Sequence, residues 1–231
     1  GLGESQAEEM LGDLTARGRD PDVGITVHEA TITLRITAQG DTLEECETKI
    51  NSAKAIIAER IGDRVFGEED DELEHVVMRL LDEHGLTLST AESGTGGMLA
   101  GRLTALGEAG RSYLGGVVVP SERALTTLLD VPGDLIAACG VLSEQTASAM
   151  ARGCRARFGT DFALAVTECP SFHPERDREQ APSTFMALAG DGLLETYEQT
   201  LLGDQTLIRS RAAKAMLDML RRHLLNRPLV R

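Results

Sequence analysis

The chain has no tryptophan and only two tyrosines and five phenylalanines in 231 residues. A core built without large rings has to come from Leu, Val, Ile, Ala and Met. Positive charge is also scarce: 23 lysines and arginines stand against 37 acids, a net of −14. That deficit disfavours nucleic acid and anionic membrane surfaces as partners. Only Lys49, Lys54 and Lys214 are lysines. The four cysteines, Cys46, Cys139, Cys154 and Cys169, contain no C-x-x-C. They therefore read as neither a zinc site nor a disulfide framework, and reduced thiols of a cytoplasmic protein are the simplest expectation. His28, His75, His84 and His223 have no metal-ligand spacing, so no metal and no cofactor is expected. No apolar run reaches the roughly 20 residues needed to cross a bilayer, and no signal peptide is visible.

What is present is ordinary globular chemistry. The apolar fraction is 42%, and the length allows one or two domains. A first unit spans residues 1–67. Ser5 is a candidate cap for a helix carrying Ala7, Met10, Leu11 and Leu14. Val23–Val27 and Ala30–Thr37 read as strands. In the second, Ile32, Leu34 and Ile36 alternate with Thr31, Thr33, Arg35 and Thr37, the period of a half-buried sheet. Asp41 or Thr42 then caps a helix with Leu43, Cys46, Ile50, Ala53 and Ile57 on one stripe. The expected result is a small α+β unit, one sheet face covered by two helices.

Residues 68–231 form the second unit, with 68–85 as an acidic linker and a leading helix. Glu68-Glu69-Asp70-Asp71-Glu72 suits a helix N-terminus, and Gly85 suits its stop. Val117-Val118-Val119 and Phe162–Thr167 read as strands buried on both faces. Ser121 caps a helix ended by Pro132-Gly133, and Ser143 opens a long one. Thr184–Leu188 and Leu194–Leu202 suit a strand pair, and Gly203-Asp204 opens the last helix. Strands alternating with helices predict an α/β fold, a three-layer αβα sandwich.

The second unit begins on a distinctive stretch. Leu86-Thr87-Leu88 leads into Thr90-Ala91-Glu92-Ser93-Gly94-Thr95-Gly96-Gly97, and Met98–Leu103 starts a helix. A strand, a glycine-rich turn and a helix start can aim N–H groups at an anion. The same stretch also fits an ordinary turn in which Ser and Thr cap the helix.

The motifs around this stretch resemble the CinA (competence/damage-inducible protein) family. The family pattern A-E-S-C-T-G-G appears as Ala91–Gly97, R-L-T as Arg102-Leu103-Thr104, and G-G-V-V as Gly115–Val118. G-A-V-S-E appears as Gly140–Glu144, A-V-T as Ala165-Val166-Thr167, and the G-D helix start as Gly203-Asp204 with Arg209 and Arg211 beyond. Gly1-Leu2-Gly3-Glu4-Ser5 is similar to the opening of the family's KH-like middle region. In full-length members a molybdopterin-binding-like domain precedes that opening. The resemblance implies a nicotinamide mononucleotide deamidase, which hydrolyses a linear amide to nicotinate mononucleotide and ammonia. It implies a small nucleotide ligand and, at family level, a homodimer. It also implies Ser93 as nucleophile with Thr167 beside it, and the substrate phosphate held at Gly94, Thr95, Gly96 and Gly97.

Departures fall on the working positions. The family's Y-S-N-E-A-K appears as Pro120-Ser121-Glu122-Arg123-Ala124-Leu125, so the Tyr and the Lys base are lost. Arg123 stays protonated and is a poor base. The T-G-I-A-G-P loop appears as Thr167-Glu168-Cys169-Pro170-Ser171-Phe172, with Glu168 where a Gly stood. Glu92 beside Ser93 is one conceivable activator, and a Cys169–His173 thiolate pair is another. The expectation is a CinA-like protein with impaired or absent deamidase activity, a pseudoenzyme; the alternative is an active amidohydrolase. Nucleic acid is not expected at the first unit. It has no G-x-x-G loop, and its 13 acids against 7 lysines and arginines leave a net of −6.

Overall fold

The computed structural model describes residues 3–107, 111–170 and 182–226. The chain divides into two compact units, Gly1–Glu68 and Glu69–Arg231. The first contains α1 (Glu4–Leu11), β1 (Asp22–His28), β2 (Thr31–Thr37) and α2 (Leu43–Ile61). Gly3, not Ser5, is the N-cap of α1. Thr42 caps α2, its hydroxyl accepting the Glu45 N–H at 3.2 Å. β1 and β2 pair antiparallel, with Ile25 opposite Leu34 and Val27 opposite Ile32. Leu11 and Leu14 join Ala53, Ile57 and Ile61 of α2 over Val23, Ile25, Leu34 and Ile36. The alternation along β2 therefore follows the sequence pattern, turning Leu34 and Ile36 towards the helices.

The β1–β2 turn is built from Glu29 (φ 43°) and Ala30 (φ 65°), both left-handed. Two left-handed central residues match the twist of a hairpin, but each costs a side-chain-bearing residue about 1 kcal/mol. Replacing Glu29→Asn with Ala30→Gly should therefore stabilise the first unit by about 1 kcal/mol, after the extra unfolded-state freedom of glycine is subtracted. A higher urea midpoint for that unit is the expected reading.

The second unit contains α3 (Leu73–His84), β3 (Leu88–Glu92), α4 (Met98–Thr104), β4 (Tyr113–Val118), α5 (Glu122–Leu129), α6 (Gly133–Cys139), α7 (Glu144–Phe158), β5 (Phe162–Val166), β6 (Ser183–Gly190), β7 (Leu193–Thr200) and α8 (Gln205–Leu224). The sheet order is β4-β3-β5-β6-β7. β4 and β5 flank β3 in parallel; β6 and β7 continue antiparallel. On one face, α7 packs against β3, β5 and β6, with α5 and α6 against α7. On the other, α4 and α8 cover the sheet and α3 packs on α8. This is the three-layer αβα sandwich.

Sequence chemistry explains the joints. Ser121, Ser143 and Asp204 accept the N–H groups of Ala124, Thr146 and Leu207 at 3.2, 3.2 and 2.9 Å, and each starts a helix. Gly85 ends α3 in the left-handed conformation. The α7 face of the sheet is lined by Ala91, Ala163, Ala165, Ala187 and Ala189, packed against Ala147, Met150, Ala151 and Cys154. Alanines keep the layers close where no aromatic ring is available to fill a gap. The end of α5 is also seated tightly: a Cβ on Gly153 would stand 2.0 Å from the Leu129 carbonyl oxygen.

Two expectations need correction. β4 is not buried on both faces: it is the edge strand, and its exposure alternates along its length. Hydropathy of Val117-Val118-Val119 does not reveal strand order. Pro132-Gly133 does not end α5, which stops at Leu129 with left-handed Asp130 as its C-cap; it starts α6, with Pro132 as N-cap, because proline's fixed φ suits a helix start.

Candidate functional site

β3 leads into α4, on one face of the sheet, and β4 leads into α5 and α7, on the other. Neighbouring parallel strands whose connections leave to opposite faces open a crevice at their C-terminal ends. Ser93 and the glycine-rich turn sit at the end of β3, and Pro120 and Ser121 follow β4. The Val119 N–H donates to the Glu92 carbonyl at 2.8 Å, holding the two ends together.

Glu92 organises the turn. It is the last residue of β3 and 1% exposed. Its Oε2 accepts from the Thr95 hydroxyl at 2.6 Å and from the N–H groups of Gly97 and Leu99 at 3.1 and 3.0 Å. Its Oε1 accepts the Ala100 N–H at 2.8 Å. Gly97 is the N-cap of α4 and has no side chain to cap it, so Glu92 supplies the cap from the preceding strand. The carboxylate also meets the positive end of the helix dipole. It is therefore turned away from the activator role considered for Ser93.

These bonds change the reading of the glycine-rich turn. The Gly97 N–H is committed to Glu92. The Gly96 N–H donates to the Ser93 carbonyl at 3.2 Å and the Gly94 N–H to the Thr167 carbonyl at 3.0 Å. Three of the four residues assigned to a phosphate commit their N–H groups to the turn and its neighbours, and Thr95 commits its hydroxyl to Glu92. Positive φ at Gly96 and Gly97, 64° and 93°, lets the chain reverse within this space.

Ser93 is half-buried. Its N–H donates to the Val166 carbonyl at 3.1 Å, and among the described residues its hydroxyl has no hydrogen-bond partner. Thr167 is 1% exposed and differs in kind. Its hydroxyl donates to the Phe185 carbonyl at 3.3 Å and accepts the Phe185 N–H at 3.1 Å. It is tied into the junction between β5 and β6, so a free hydroxyl at Thr167 is not what the structure provides. The physical reason is position: the strand pair needs a polar partner there, and threonine is it.

Leu125 is 4% exposed and lies in the core with Ala91, Val119, Leu129 and Val131. Lysines are engaged elsewhere. Lys49 pairs with Asp20 at 2.7 Å, Lys54 with Glu68 at 2.7 Å, and buried Lys214 with Glu72 at 2.9 Å. Cys169 is buried and its thiol is pushed up to about 11 by desolvation, which keeps it protonated and unreactive at neutral pH. His173, its suggested partner, lies outside the described residues. Arg209 is the residue that the strand–turn reading did not use. Its exposed guanidinium stands 3.8 Å from where a Cβ on Gly96 would be. Ser93 and Arg209 place one hydroxyl and one guanidinium at the turn, groups of the kind that hydrogen-bond to oxyanions. A separate groove of about 950 Å³ between α5, α6 and α7, lined by Leu129, Pro132, Leu135, Ser148, Arg152 and Ala156, includes none of these residues. Among the described residues no three His, Cys, Asp or Glu side chains gather as a metal site, and no helix is long and apolar enough to cross a membrane.

Comparison with known proteins bears on the identity of this scaffold. Residues 70–224 match the CinA C-terminal domain, and residues 1–67 match the damage-inducible protein CinA KH domain. A CinA-like protein of Dictyoglomus thermophilum is 36% identical over 228 residues, covering 98% of this chain and 55% of that protein. A putative competence-damage inducible protein of Desulforamulus reducens is 33% identical over 219 residues, covering 95% and 53%. The chain thus spans about half the length of the curated relatives it matches. A CinA superfamily protein of Klebsiella pneumoniae superposes with a TM-score of 0.61 at 30% identity, over 69% of this chain and 99% of that one. The Escherichia coli superfamily protein gives 0.59 at 27%, over 70% and 97%. Matched along both units and superposable on solved CinA structures, the chain belongs to the CinA family.

Proposed function

We propose that this CinA protein keeps an anionic-nucleotide site at the Ser93 crevice but does not hydrolyse amides there. The observation that carries the reading is Leu125. The family motif has its Lys at this position, and here a hydrocarbon side chain is sealed in the core. Amide hydrolysis by a serine hydroxyl needs a neighbouring base to take its proton. Arg209 cannot serve, since a guanidinium does not deprotonate in this range. Buried Lys214 is already in an ion pair with Glu72. What remains supports binding: the Ser93 hydroxyl for a hydrogen bond and Arg209 for a phosphate.

The test is an ammonia-release assay with nicotinamide mononucleotide beside a calorimetric titration of the same ligand. The expected result is release at the rate of the buffer blank, unchanged in Ser93→Ala. Binding should be weakened roughly tenfold or more in Arg209→Ala, the loss typical of one charge-assisted contact. Turnover that disappears in Ser93→Ala would replace this reading with an active amidohydrolase. Absence of both turnover and binding would remove the nucleotide from the account altogether.

A further inference from the structure

The groove between α5, α6 and α7 shares no residue with the Ser93 crevice. Its volume of about 950 Å³ lies within the range of small-molecule sites, roughly 300–1,000 Å³. A local feature of α7 keeps it open. The end of α5 rests on Gly153, where no Cβ fits, and the apolar residues that α7 turns to the groove are no larger than alanine. The space between the helices is therefore not filled from the α7 side.

The two walls differ in chemistry. Leu129, Pro132 and Leu135, from the end of α5 and the start of α6, make one of them apolar. The other is a row along α7: Gln145, Ser148 and Arg152, three and four residues apart and so on one side of the helix. Among the described residues, none of these three side chains has a hydrogen-bond partner. The other charges in the groove are engaged. Glu144 accepts the Thr196 hydroxyl at 2.7 Å, and Asp130 faces Arg157 at 4.0 Å. Arg152 is the charged lining residue left without a counter-charge.

We infer that this groove binds a small amphipathic carboxylate, its apolar body against Leu129, Pro132 and Leu135 and its head on Arg152 and Ser148. A guanidinium presents paired N–H donors to the two oxygens of a carboxylate. The Ser148 hydroxyl, one helical turn away, adds a further donor. Asp130 and Glu144 set the charge of the ligand. Arg152 meets one negative charge, whereas a dianionic phosphate monoester brings a second into a groove that already holds two carboxylates. A nucleotide phosphate therefore suits the Ser93 crevice and not this groove.

Calorimetric titration of the full chain with octanoate tests this, beside 1-octanol, which has the same chain length and no charge. The wild type should bind one octanoate per chain, and bind 1-octanol at least about tenfold more weakly. Arg152→Gln should bring octanoate down to the affinity of 1-octanol. Ala156→Phe fills the groove from an exposed position and should abolish octanoate binding. Melting midpoints report that both variants remain folded. Absence of octanoate binding by the wild type would overturn the proposal. So would equal affinity for octanoate and 1-octanol. Octanoate binding that survives both substitutions in folded protein would also overturn it, since the carboxylate would then be held elsewhere.

Discussion

Replacing Glu92 with glutamine should lower the stability of the Glu69–Arg231 unit by about 3 kcal/mol, a fall of about 10 °C in its melting midpoint. Two opposing effects set the magnitude. Burying a carboxylate costs several kcal/mol when it is unpaired. Four donors and a helix N-terminus offset that cost in this site. Glutamine keeps the shape but turns an N–H₂ group towards backbone N–H donors, so at least one of them is left without an acceptor. The loss then includes both the charge-assisted bonds and the desolvation of an orphan. Glu92→Asp keeps the charge and shortens the reach, so it should fall between the two. A melting midpoint for Glu92→Gln equal to wild type would mean that the carboxylate is not the cap of α4.

Gly94→Ala should be as damaging, for a reason that no local property of the turn reveals. Gly94 does not have a positive φ, so alanine is compatible with the backbone. At such a site Gly→Ala ordinarily stabilises by about 0.4–1 kcal/mol through the unfolded chain. Here a Cβ would stand 2.1 Å from the Cys169 backbone nitrogen and 2.7 Å from the Glu168 carbonyl carbon. Those are backbone atoms, and Gln205 holds the Cys169 carbonyl from the other side at 3.2 Å. The segment has to move, and the Gly94–Thr167 hydrogen bond goes with it. Steric cost dominates, and a net loss of about 3 kcal/mol is expected. Gly94→Cys, which restores the family's own residue, should cost more. A thermal melt of Gly94→Ala within about 0.5 kcal/mol of wild type would show that Cys169 is not seated on the turn.

The same two residues show what the sequence could and could not disclose. Caps were legible at Ser121, Ser143 and Asp204, and to within one residue at Thr42, because a helix start is a local event, governed by one side chain and the next three N–H groups. The hairpin partners and most of the apolar stripes were legible from their periods, although Leu43, read as part of the α2 stripe, is 75% exposed. The role of Glu92 was not. Its one signal was negative: the helix beginning at Met98 had only Gly97 before it, so its cap had to come from elsewhere. The packing of Cys169 on Gly94 joins distant parts of the chain, and no spacing rule reaches that far. Edge position is a property of the whole sheet, which is why three consecutive valines could suggest a buried strand where β4 is in fact exposed on one side. Motif resemblance singled out Ser93 and the turn as candidates, whereas the partners of Thr167 and the placement of Arg209 over Gly96 required coordinates.

Leu125 ties the chemistry of its position to the stability of the core. A leucine sealed at this position contributes about 2 kcal/mol of apolar burial, and its neighbours Val119, Leu129 and Val131 are packed around a branched hydrocarbon. A lysine at this position would have to give up that burial and place an amine among aliphatic side chains before any catalytic benefit could appear. Position 125 therefore couples side-chain chemistry to folding: a lysine there would lose stability before it could gain a role as a proton acceptor.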